Sequence, residues 1–154
     1  MATTARFFQA PLQSFFLFGP RGTGKSTWLR RHYPGAELID LLAPEVFRTY
    51  SARPERLREV TGGSKSKTII IDEVQKIPEL LDVVHELIEE GAERHFILTG
   101  SSARKLKRTG VDLLAGRALV KTMHPFMAAE LGESFSLAAS LQTGLVPLIT
   151  SSPD

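Results

Sequence analysis

Phe15 to Phe18 is a run of four apolar residues that breaks into Gly19-Pro20-Arg21-Gly22-Thr23-Gly24 and then into Lys25-Ser26-Thr27. No other stretch limits the fold so tightly. A fully apolar run this short suits a strand buried on both faces. The segment from Gly24 to His32 is helical in character and stops at Tyr33-Pro34-Gly35, the usual punctuation. Between strand and helix lies a corner with little side chain, followed by a concentration of positive charge. Glycine lets the backbone curl until successive N–H groups point inward, and it keeps side chains clear of an approaching anion. A helix opening near Gly24 adds the positive end of its dipole.

Gly19 to Ser26 fits G-x-x-x-x-G-K-[ST], the P-loop or Walker A pattern. The residues expected around a nucleotide's phosphates are Gly19, Pro20, Arg21, Gly22, Thr23, Gly24, Lys25, Ser26 and Thr27. Lys25 is expected to reach the β- and γ-phosphates and Ser26 to ligate Mg²⁺ through its hydroxyl. Mg²⁺ keeps several waters and needs only one or two protein ligands. A carboxylate must still hold that hydrated shell. "TIIIDE" supplies it, because Asp72 and Glu73 close a buried strand at the carboxyl edge, where α/β sheets bind ligands. Asp72 fits the Walker B role beside Ser26, and Glu73 fits positioned general-base work on an attacking water. A nucleotide switch needs the Asp, whereas a hydrolase benefits from the adjoining Glu. No Asn-Lys-x-Asp-like segment reads guanine, so the expectation is ATP, hydrolysed with Mg²⁺.

The remaining chain alternates strand-like and helix-like segments. "AELIDL" reads as a second strand, Pro44 to Val60 as two short helices broken near Pro54, and "TGGSKSK" as a loop. "IPELLDVVHELIEEG" places Leu80, Leu81, Val84, Leu87 and Ile88 on one apolar stripe, with Pro78 in the first turn and Gly91 capping the end. "RHFILTG" reads as a strand, "SSARKLKR" as a basic helix and "GRALVKTMH" as a fifth strand. Strands separated by helices predict a parallel sheet covered on both faces. After Pro125 one helix and a second apolar stretch are expected, with no further strand.

Composition narrows the class without choosing a function. At 154 residues, 42% apolar and 23% charged, the chain can bury one sizeable core. With no cysteine it has neither a disulfide framework nor a thiolate metal site. Its net charge of +2 suits phosphate ligands without arguing for nucleic acid. The opening "MATTARFFQAPLQ" does not read as a signal peptide, and no span approaches the apolar length of a bilayer, so the expected location is cytoplasmic, with no membrane. His32, His85, His95 and His124 lack a zinc-ligand spacing.

"FLFGPRGTGKSTWL", "IIIDEVQKIPELL", "FILTGSSARKL" and "LLAGRALVKTMHPF", in this order, resemble the prokaryotic AAA-type ATPases in which an N-terminal ATPase domain precedes a C-terminal region of uncharacterised function. The likeness covers roughly Phe15 to Glu130. It implies a three-layer α/β P-loop NTPase with sheet order 5-1-4-3-2, "RHFILTG" being the central insert. It also implies an ATPase domain over residues 1–130 and a segment 131–154 that begins a further region. The resemblance further implies a polar γ-phosphate sensor after the inserted strand, Ser101, with Thr99 and Ser102 as alternatives, and an arginine finger acting in cis or in trans, Arg117. A structural arginine at a strand start is the competing reading of Arg117, and a helix N-cap that of the serines. Expected partners beyond ATP are a second copy of the chain or another protein. Nucleic acid, met by Arg104, Lys105, Lys107 and Arg108 with Lys65 and Lys67, is the further alternative, and a nucleotide-gated interaction module with little turnover is the competing function. A small-molecule kinase would need a lid over an acceptor pocket, and no segment reads as one.

Overall fold

The computed structural model describes residues 4–91, 93–108 and 113–145. Five strands, β1 (Phe15–Phe18), β2 (Glu37–Asp40), β3 (Thr68–Asp72), β4 (His95–Gly100) and β5 (Leu119–Thr122), pair in parallel in the order β2-β3-β4-β1-β5. Read from the other edge this is 5-1-4-3-2, with β4 inserted between the P-loop strand and the strand that ends in Asp72, as expected.

Side-chain alternation along these strands builds two cores. Phe16, Phe18, Ile69, Ile71, Phe96 and Leu98 face one side and meet the helices α2 (Pro44–Ala52), α3 (Arg56–Gly63) and α4 (Leu80–Glu89) through Tyr50, Leu57, Leu80, Leu81, Val84 and Leu87. Phe15, Leu17, Ile70 and Ile97 face the other and pack on Trp28 and Leu29 of α1 (Lys25–His32), with Met123. The architecture is therefore three-layered. Each fully buried Phe, Leu or Ile contributes about 1.5–3 kcal/mol of burial free energy, and the sheet's apolar runs are uninterrupted because both faces are covered.

Two local expectations shift. Thr61-Gly62-Gly63, expected in a loop, forms the last turn of α3. The Thr61 hydroxyl donates to the Leu57 carbonyl at 2.6 Å, and Ser64 N–H to the Val60 carbonyl at 2.9 Å, so packing against α4 overrides the weak helix propensity of glycine. Pro78 precedes α4 rather than opening it, its carbonyl accepting from Leu81 N–H at 3.0 Å. Gly91 follows α4 with φ +74°, in its capping role.

Beyond β4 lie the short helices α5 (Ala103–Lys107), α6 (Ala128–Leu131) and α7 (Leu137–Thr143). Most of the apolar stretch expected near the C-terminus lies outside the described residues. The N-terminal segment is tied to α6: Arg6 pairs with Glu130 at 3.3 Å and lies over the Phe126 ring, and Glu130 accepts from Phe7 N–H at 2.9 Å. All four residues of β5 are exposed. No helix among the described residues is long and apolar enough to cross a membrane.

Candidate functional site

Because the strands are parallel, the ends of β1, β3 and β4 share one edge, and the chemistry-bearing residues collect there. After Phe18 the chain turns through Gly19, whose N–H donates to the Gly100 carbonyl at 3.2 Å. A Cβ on Gly19 would stand 2.2 Å from the Met123 carbonyl oxygen, so only glycine passes between β1 and the end of β5. Gly22 and Gly24 take φ of +80° and +85°, the left-handed region that a side chain disfavours. Gly24 is also the N-cap of α1 and offers no side-chain cap, which leaves the helix's first amides for another acceptor. Thr23 closes the loop from within, its hydroxyl donating to the Pro20 carbonyl at 2.9 Å. Pro20, Arg21 and Thr27 are exposed at the rim.

Lys25 is buried under this loop. Its ammonium donates to the Gly19 carbonyl at 2.6 Å and the Pro20 carbonyl at 3.1 Å. Burial pushes its pKa below the ordinary lysine value, against the attraction of Glu73 and Asp72 and with a smaller push from Arg21. The Ser26 hydroxyl, in the first turn of α1, donates to Asp72 Oδ2 at 2.9 Å, across 46 positions of sequence. Beside that pair a cleft of about 200 Å³ opens between α1 and β3, walled by Leu29, Tyr33, Leu38 and Ile70.

The carboxylates are buried as a unit. Asp72 and Glu73 are 4% and 6% exposed, and Thr99 is fully buried between them. The Thr99 hydroxyl donates to Asp72 Oδ1 and accepts from Glu73 N–H at 2.9 Å. Glu73 itself sits in the left-handed region, φ 62° and ψ 47°, a conformation that costs a non-glycine residue roughly 1–2 kcal/mol. Its carboxylate accepts a hydrogen bond from the Gln75 side-chain amide. A hydroxyl and a carboxylate in contact are the hard oxygen donors that suit Mg²⁺ when phosphates and water complete the shell, so the residues present fit that ion.

The structure brings together the loop residues, Lys25, Ser26, Asp72 and Glu73. Of the three sensor candidates, Thr99 lies inside the carboxylate network. Ser101 is half-buried, its hydroxyl without a hydrogen-bond partner among the described residues, and Ser102 stands at the N-cap position of α5 without a side-chain capping bond. Arg117 is elsewhere. It precedes β5, whose Leu119 pairs with Phe15 at the start of β1, and it is ion-paired with Glu89 at the end of α4. That is the opposite end of the strands from the loop, roughly 10 Å of strand away, and its guanidinium is engaged by Glu89. Sequence reasoning missed Gln75 and Gly100. Gln75 follows Glu73 by two positions in a turn of 3-10 helix, and nothing in residue type or spacing marks it.

A model of the AAA domain matches residues 13–132, which takes in every strand and the whole phosphate-loop edge. The chain belongs to the AAA domain family. Two curated relatives of this AAA chain, uncharacterized proteins of Mycobacterium tuberculosis and Mycobacterium bovis, are each 30% identical over 141 residues. The match covers 87% of this chain and 30% of theirs, so the AAA chain spans under a third of their length. Among solved structures, the Aeropyrum pernix ORC1 protein in complex with DNA is similar at a TM-score of 0.47 and 14% identity, over 80% of this chain and 42% of that one.

Proposed function

We propose that this AAA domain binds ATP and hydrolyses it in a Mg²⁺-dependent manner. One observation carries the reading: the Ser26 hydroxyl in the phosphate loop lies 2.9 Å from Asp72 at the end of a non-adjacent strand. A glycine-rich turn alone explains neither the buried acid nor its meeting with that hydroxyl. In this reading the loop amides and Lys25 take the β- and γ-phosphate oxygens, the ammonium leaving the carbonyls of Gly19 and Pro20. Ser26 and Asp72 hold the hydrated Mg²⁺. When bound, the ion offsets charge on the phosphates and on the leaving oxygen. Glu73 accepts a proton from the attacking water. Thr99 ties the Asp72 carboxylate to the Glu73 backbone N–H, its one O–H already donated, and Ser101, half-buried with its hydroxyl uncommitted among the described residues, keeps the part of γ-phosphate sensor. Arg117 keeps a role only as a finger for a neighbouring subunit's nucleotide.

The test is turnover of Mg·ATP by wild type and Glu73→Gln. We expect Glu73→Gln to bind ATP within about threefold of wild type and to lose turnover by about 10²–10⁴, the usual worth of general-base catalysis. Equal turnover removes the base assignment, and wild type that binds no Mg·ATP removes the reading altogether.

A second reading rests on α5. Its Arg104, Lys105 and Lys107 are exposed and follow β4 directly, on the same edge as the phosphate loop. A nucleotide-gated module that captures nucleic acid through this helix would hydrolyse ATP negligibly and bind DNA with a steep salt dependence. Absence of DNA binding at low salt eliminates it.

A further inference from the structure

Gln75 is the least expected member of the site, and its surroundings define its orientation. Its amide contacts the Glu73 carboxylate, which accepts only, so the –NH₂ group must face Glu73 and the amide oxygen must face away. That oxygen is buried and has no hydrogen-bond partner, whereas buried acceptors are almost always satisfied. It lies against the end of β4, since a Cβ on Gly100 would stand 2.8 Å from it. Gly100 in turn accepts the Gly19 N–H at the root of the phosphate loop. The unsatisfied oxygen therefore sits near the proposed base and against the end of β4, whose Gly100 carbonyl holds the root of the phosphate loop.

From this geometry we infer that Gln75 positions the hydrolytic water together with Glu73, resting on the ATPase reading above. The amide N–H holds Glu73 Oε2, leaving Oε1 to take the water's proton. The amide oxygen accepts a hydrogen bond from the water's other O–H. The water oxygen forms a bond to the γ-phosphorus, the bond from that phosphorus to the bridging oxygen breaks with its electron pair leaving on ADP, and the transferred proton rests on Glu73. A glutamine that orients an attacking water in this way is an established solution in phosphoryl transfer. The positive φ of Glu73 supports the assignment, because the strain is maintained where Thr99 fixes the backbone N–H and Gln75 fixes the carboxylate.

The experiment is a double-mutant cycle with Glu73→Gln and Gln75→Met, read as kcat and as ATP affinity. Gln75→Met keeps length and apolar volume and removes both polar contacts, and Gln75→Glu sets a carboxylate against Glu73 and serves as the second variant. We expect each Gln75 variant to lower kcat by at least 30-fold with ATP affinity within about threefold, and the double variant to be no slower than Glu73→Gln alone. We also expect the side-chain NH₂ signals of Gln75 in wild type to be protected from solvent exchange, and that protection to vanish in Glu73→Ala. A folded Gln75→Met with kcat within twofold of wild type overturns the proposal, as do rate losses that multiply in the double variant or NH₂ signals unaffected by Glu73→Ala. A wild type that binds ATP without turnover overturns the ATPase reading and this one together. Loss in Glu73→Gln with none in the Gln75 variants overturns this one alone.

Discussion

Lys25 carries a conflict between stability and its proposed role in binding phosphate that can be measured. Its pKa is lowered on folding, so between the folded value and the ordinary lysine value of 10.5 the unfolded chain binds more protons than the folded one. Stability rises with pH through that window, and below it the full penalty of burying the ammonium is present. Lys25→Met is expected to keep or raise the thermal midpoint of nucleotide-free protein at pH 7, and to abolish the upshift that Mg·ATP gives wild type. The difference between the two proteins should shrink as pH approaches 10. A variant that melts lower at pH 7, with the gap widening in alkali, contradicts the assignment. Gly19 makes the opposite case. With the Met123 carbonyl oxygen 2.2 Å from any added Cβ, Gly19→Ala forces β1 and β5 apart, and we expect it to cost about 1–3 kcal/mol by chemical denaturation.

At the scale of elements, stability is concentrated where helices lie on the sheet. Leu80 is fully buried against β3 and β4 residues, and Leu80→Ala is expected to cost about 2–5 kcal/mol. The last turn of α3 offers the reverse. Gly62 lies in helix, without a left-handed φ and with nothing within 4 Å of an added Cβ, so Gly62→Ala should stabilise by about 0.5–1 kcal/mol in the same denaturation assay. These two segments also mark what the sequence discloses. Strands β1, β3 and β4 and the stripe of α4 are legible because each is an uninterrupted apolar run or one face of a 3.6-residue period. The end of α3 is not, since Thr-Gly-Gly signals a loop locally and is held helical by the Thr61 bond and the α3–α4 packing. The site divides in the same way. Lys25, Ser26, Asp72 and Glu73 are recognisable because phosphate and metal chemistry restricts residue type and spacing. Gln75 and Met123 enter through their approach to Gly100 and Gly19, which no local pattern encodes, and Thr99 is legible only as one of three sensor alternatives. Arg117 shows the limit of resemblance, because its motif identifies the residue type and only the sheet's polarity shows which edge it occupies.

For the molecule as a whole, that polarity makes the proposed ATPase activity a question of assembly. With Arg117 at the far end of the strands and paired to Glu89, the finger role proposed for it is one it would play toward another copy. We expect turnover per chain to rise with protein concentration, and Arg117→Ala to lose that rise while retaining ATP affinity. Glu89→Ala, which removes only the ion pair, should keep it. A rate per chain independent of concentration excludes the finger.

The β5 flank of the sheet is open. β5 joins its neighbour β1 along one side and shows all four residues to solvent, whereas β4 is enclosed between two strands and two layers. Deuterium should therefore enter the backbone amides of the edge strands first, β5 among them, with β4 labelled last, at the rate of global opening. Because Met123 presses its carbonyl against Gly19, a polyphosphate seated in the loop should slow labelling of 119–123 and leave β4 unchanged, so that the outermost strand becomes a reporter of occupancy at the site it borders.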